Sequence, residues 1–147
     1  MNRNELKNQI EKLEEELKEL RKEYQESIQS DQVKILQELN KNYTGKYLYF
    51  KSDDGDEEKK PSVIIKPTKF TFDVWCNNLH YSGKQIILGT EDLHCSPSVV
   101  INEGDFLCDY LPKFIYGGDY IEYFSTGREI TKEELYNIIV EHINNYL

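Results

Sequence analysis

The sequence predicts an α+β protein: an N-terminal coiled-coil helix, a small antiparallel β-sheet or partly open barrel, and a C-terminal helix. Three observations carry this reading. Residues 3 to about 40 contain no Gly or Pro and are rich in Glu, Lys, Leu and Gln, all strong helix formers. From Tyr43 onward, short β-branched and aromatic runs alternate with clusters of Gly, Asn, Asp and Ser. The last stretch, ITKEELYNIIVEHINNYL, opens with a helix-start signal. The expected division is residues 1–41 as coiled-coil helix and docking segment, and 42–147 as a small α+β domain closed by helix 131–146.

Within the first segment, Leu6, Ile10, Leu13, Leu17, Leu20 and Tyr24 are spaced alternately four and three apart. This is a heptad seam, with Ile10, Leu17 and Tyr24 at a and Leu6, Leu13 and Leu20 at d. Helices that fold onto their own domain carry a wider apolar stripe, so the narrow seam points to self-association through residues 3–26, a dimer most simply. In a parallel pair, Glu16 meets Arg21 of the second helix as a g-to-e′ contact. Six seam side chains offer on the order of 10 kcal/mol per helix on full burial, and helix ordering and association take back much of it. After Tyr24 the seam breaks at Ser27. The apolar pattern resumes at Ile28, Val33, Ile35, Leu36 and Leu39, either as a stutter or as a second helix capped by Ser30 or Asp31. Ile35, Leu36 and Leu39 form a broader face suited to docking on the domain.

Seven strand-like runs follow: 46–51, 62–66, 69–75, 84–89, 98–102, 113–116 and 119–124. Turn signals lie between them at SDDGDEEKKP, NNLHYSG, NEGD and YGGD, with Asp54-Gly55 and Gly117-Gly118 as tight turns. The acidic SDDGDEEKKP stretch fits no EF-hand and reads as a solvated, mobile hairpin tip. In the C-terminal helix, Thr131 and Glu134 form a capping box, and Ile130 and Leu135 a hydrophobic staple. Leu135, Ile138, Ile139, His142, Ile143 and Tyr146 make one broad face, on which His142 reads as a packed side chain rather than a ligand.

Composition narrows the function. With 147 residues the chain holds one compact domain and an appendage. A net charge of -9 argues against a phosphate-binding surface, so no sequence-specific nucleic acid is expected as partner. The N-terminus lacks a signal-peptide core and no apolar run reaches membrane length, so the chain is expected to stay in the cytoplasm, with no membrane partner. Three cysteines, an odd count, suit reduced thiols there.

Chemistry is hard to find. Cys76, His80, His94 and Cys108 are the residues that would hold zinc, but their spacing fits no common zinc module, and adjacent His94 and Cys95 point to opposite faces of an extended strand. A cysteine nucleophile with His80 or His94 as base has no surrounding signature. A zinc- or cysteine-dependent enzyme built on residues 76–108 is therefore an alternative, while the main reading takes the chain as a non-enzyme without cofactors. Tyrosine is conspicuous: eleven in all, ten from Tyr43 onward. Tyr47 and Tyr49 share one strand face; with Tyr120 and Glu122 they are the candidate contact for an unknown protein partner, unless a terminal helix covers them.

The frame YTGKY opening the β region and REITKEEL opening the terminal helix resemble small accessory proteins of tailed phages and mobile elements, over residues 43–147. That resemblance implies a compact non-enzymatic protein, such as a phage-encoded inhibitor of a host-defence protein of the anti-CRISPR kind, acting in the host cell cytoplasm. It assigns no functional residue. The expected function is thus an oligomeric protein-binding module, with a virion or scaffold component assembled through the coiled coil as the alternative.

Overall fold

The computed structural model describes residues 1–52, 61–91, 96–114 and 118–145. It divides into two compact units, Met1–Ile35 and Leu36–Leu147. Among the described residues no helix is long and apolar enough to cross a membrane.

Helix α1 runs unbroken over Arg3–Tyr43. Asn2 caps it, its Oδ1 accepting from Glu5 N at 2.9 Å while Glu5 returns a carboxylate to Asn2 N at 3.3 Å. The expected option of a second helix starting at Ser30 or Asp31 is not taken. Ser and Asp inside a helix cost only a few tenths of a kcal/mol each, roughly, and no Gly or Pro lies nearby to force a stop. The last turns belong to the second unit. There Leu39 is fully buried, and Asn40 Oδ1 accepts from Phe70 N at 3.0 Å. The helix ends at Thr44-Gly45, where Gly45 takes a left-handed φ of 78° and donates to Pro67 O.

The second unit is built on an open five-stranded antiparallel sheet in the order β4-β3-β2-β1-β5: β1 Tyr47–Phe50, β2 Ser62–Phe72, β3 Leu79–Glu91, β4 Ser96–Leu107 and β5 Arg128–Ile130. It is a sheet with two edges, not a closed barrel. One face carries Ile64, Ile86, Leu88 and Ile130, covered by α3 (Lys132–Asn144) through Leu135, Ile138 and Ile139. The other face carries Leu48, Phe50, Val63 and Ile65. Phe50 meets α2 (Tyr120–Ser125), stacking on Tyr123 at 5.2 Å and edge-on to Phe124 at 5.9 Å. Phe124 is fully buried and also packs edge-on to Phe70 at 5.0 Å. Burying apolar residues on both faces is why β1 and β2 read as near-continuous apolar runs.

Several element assignments differ from the sequence reading. Runs 62–66 and 69–75 are one strand, β2, joined across a bulge between Pro67 and Lys69 and ending at Phe72. The turn clusters around Gly83 and Gly104 are strand: the two glycines pair with each other in the middle of β3 and β4. Run 119–124 is helical, because Tyr120, Ile121, Tyr123 and Phe124 recur at helical spacing and Asp119 caps it by accepting from Ile121 N and Glu122 N. Lys113 and Phe114 are not in a strand. The acidic stretch 53–60 with Asp54-Gly55, and likewise Gly117 and Tyr146, lie outside the described residues. The capping box of α3 is present in full, and Ile130 and Leu135 share one buried cluster, as the staple requires.

Candidate functional site

Three surfaces bear on binding. The first is the α1 seam. Leu6, Ile10, Leu13, Leu17, Leu20 and Tyr24 lie on one continuous helix and remain between 46% and 70% exposed. Large apolar side chains aligned at heptad spacing and left half in water are surface that a second helix would cover.

The second is the tyrosine set. Tyr47 and Tyr49 are half-buried and pack against the cluster beneath α3. Their ring faces hold cations, Lys66 Nζ lying 5.0 Å from the Tyr47 centroid and the Arg128 guanidinium 5.6 Å from that of Tyr49. Tyr120 sits on α2 against Phe72 and Phe114. Tyr49, Tyr120 and Glu122 line one cleft together with Phe50, Pro61, Gly89 and Tyr123; Tyr47 does not line it.

The third is the turn between β2 and β3, which sequence reasoning placed partly in a strand. Asp73 organises it: Oδ1 accepts from Cys76 N at 2.7 Å and Oδ2 from His80 Nε2 at 2.9 Å, while Asn77 adopts a left-handed φ of 56°. The result is a tied turn that holds Val74 and Trp75 outward, 90% and 92% exposed. The one sequence signal was a Val-Trp pair beside Cys-Asn-Asn, a β-type run ending on turn residues. The hydrogen bonds from His80 first, and then from the Cys76 amide, draw the Asp73 carboxyl below its ordinary 3.8. A carboxyl whose pKa falls on folding contributes stability that is complete above its unfolded value and is lost as pH falls through the folded one. The turn is therefore expected to hold at neutral pH and to loosen only below pH 3.8. Fluorescence anisotropy of Trp75, the single tryptophan, reads this directly. Asp73→Ala should give the low-pH anisotropy already at pH 7, with the far-ultraviolet melting curve unchanged.

The metal and nucleophile alternatives meet a simple geometry. His94 and Cys95 lie outside the described residues. Among those described, no three His, Cys, Asp or Glu side chains form a group able to hold a metal ion. Cys76 is exposed on the turn, His80 is engaged by Asp73, and Cys108 is fully buried. Burial pushes the Cys108 thiol far up, away from the thiolate that a nucleophile requires. Metal analysis of the purified chain is accordingly expected to find no stoichiometric zinc; about one zinc per chain, with chelation unfolding the protein, would reverse this. His142 is likewise structural, its Nε2 lying 2.9 Å from Gly89 O, where it ties α3 to β3.

No protein-family model, curated protein or solved structure matches the chain.

Proposed function

We propose that this chain is a self-associating protein-binding module of the cytoplasm, which pairs through residues 3–26 and presents its α+β unit to a second protein that it blocks stoichiometrically. A host-defence protein is the proposed target, and a phage or mobile element the proposed source, in line with the resemblance over residues 43–147. The observation that carries the reading is the seam: six heptad-spaced apolar side chains, each about half exposed, on a helix with no break. Glu16 and Arg21 at flanking positions favour the parallel arrangement, in which they pair between chains.

Disulfide trapping tests it. In a background where Cys76 and Cys95 are replaced by Ser, Leu20→Cys puts a thiol at a d position, where a parallel in-register dimer brings two copies together. Mild oxidation should convert most of the chain to a covalent dimer, whereas Lys22→Cys, on the outer side of the helix, should not cross-link. Equal cross-linking at both positions, or none at Leu20→Cys, would remove the proposed pairing.

A further inference from the structure

Strand β4 forms one edge of the sheet, and among the described residues no strand pairs with its outer side. It is long, at twelve residues, and its middle is apolar: Val100 and Ile101 are 44% and 64% exposed. Long apolar edges are normally blunted by charge, proline or a covering element, and here only Pro97 interrupts the donors of the apolar half.

The surface beside this edge is shaped for an additional strand. Ile101 pairs with Ile86 and Val99 with Leu88, so odd-numbered residues of β4 lie on the face covered by α3. Arg128 of β5 binds Glu134 at 3.1 Å, which turns that flank of α3 toward the β5 side. The opposite flank, toward β4, carries Tyr136, Val140 and Ile143 at positions i, i+4 and i+7, 57%, 55% and 37% exposed. A sixth strand beside β4 would lie under this flank and next to Ile101. Along the same face of β4, Val99 and Ile101 are followed by Glu103 and Asp105, and β4 contains no Lys or Arg. An incoming segment therefore meets two apolar positions and then two acidic ones.

We infer that the outer edge of β4 takes up an extended segment of the partner protein as an antiparallel strand, with basic residues opposite Asp105 and Glu103 and apolar residues opposite Ile101 and Val99. Backbone hydrogen bonds supply the pairing, and the alternate side chains supply the choice of sequence. A second copy of this chain is the poorer occupant, because its own β4 brings no cation to the acidic half and each copy carries a net charge of -9. This inference deepens the protein-binding reading and rests on it.

The test uses the full chain and a capped heptapeptide, Lys-Thr-Lys-Thr-Ile-Thr-Val, followed by amide NMR. Saturable shifts are expected along β4 and at Tyr136, Val140 and Ile143, with slowed hydrogen exchange of the outward β4 amides. N-methylation of the peptide along its pairing edge should abolish binding. The exposed double variant Glu103→Lys/Asp105→Lys should weaken it about 10-fold or more and favour the peptide with Glu in place of Lys. Absence of saturation at millimolar peptide, shifts centred elsewhere, or equal binding of acidic and basic peptides would overturn the inference. So would concentration-dependent protection of the β4 amides without peptide, which would assign the edge to a second copy. Lost cross-linking at Leu20→Cys with peptide binding intact removes self-association alone; the converse removes only the edge.

Discussion

Gly83→Ala is expected to unfold most of the sheet's stability, lowering the free energy of unfolding by about 3–5 kcal/mol, at the severe end for a single substitution. Gly83 lies in β3 opposite the β2 bulge, paired with Pro67, at a φ of 146° that side chains rarely adopt. A Cβ built there falls 2.1 Å from Lys66 O and 3.1 Å from Pro67 Cα, both backbone, so no side-chain rotation relieves the clash. Either the bulge opens or the β2–β3 register slips, and a slip of one residue would exchange the side chains packed under α3 for those packed on the opposite buried face of an 11-residue strand. Gly89→Ala provides the control on the same strand. Its Cβ would sit at ordinary contact distance, 3.4 Å from Ser98 Oγ, and should change stability by less than about 1 kcal/mol. Urea titration followed by circular dichroism distinguishes the two. Equal small effects would mean that the hairpin tolerates a different register at this point.

Leu13→Lys together with Leu17→Lys should abolish self-association while leaving the Leu36–Leu147 unit folded. These are adjacent d and a positions at the centre of the seam. In a paired helix, the variant would place four ammonium groups in two adjacent apolar layers, two in each, every charge costing several kcal/mol if kept from water. In the unpaired helix the same lysines cost almost nothing, since both positions are already about half exposed and Lys is a good helix former. The substitution thus acts on the assembly and spares the monomer. The thermal transition of the α+β unit, whose core residues all lie beyond position 38, should be unchanged. A shared loss of mass and of folded signal would show instead that the seam residues contribute to the fold of the single chain.

What was legible in the sequence was what local chemistry decides. The α1 helix follows from uninterrupted helix formers, and the start of α3 follows from Thr131 and Glu134, each of which needs only its neighbours within one turn. Misreadings arose where tertiary contacts override a local signal. Gly83 and Gly104 look like turn residues, yet they face each other within a ladder, one of them because the neighbouring bulge leaves no room for a Cβ. The aromatic run Tyr120 to Phe124 satisfies strand and helix patterns alike, and the Asp119 cap together with the ring packing of Phe124 among Phe50, Phe70 and Tyr123 selects the helix. Strand β5, three residues long, exists because it pairs with β1, a partner eighty residues earlier that no local pattern announces. The outward turn at Trp75 was hidden for a related reason: its order comes from one carboxylate reaching Cys76 N and His80.

Pairing through residues 3–26 is the claim on which the functional account turns, and the molar mass of the unmodified full chain in solution tests it most directly. Light scattering across a dilution series from high micromolar to nanomolar concentration should show a mass falling from twice the chain value of 17.4 kDa to that value, with the high plateau absent in Leu13→Lys/Leu17→Lys. A chain that stays at 17.4 kDa throughout the series would contradict the account, and the six seam side chains would then have to find their cover within a single chain.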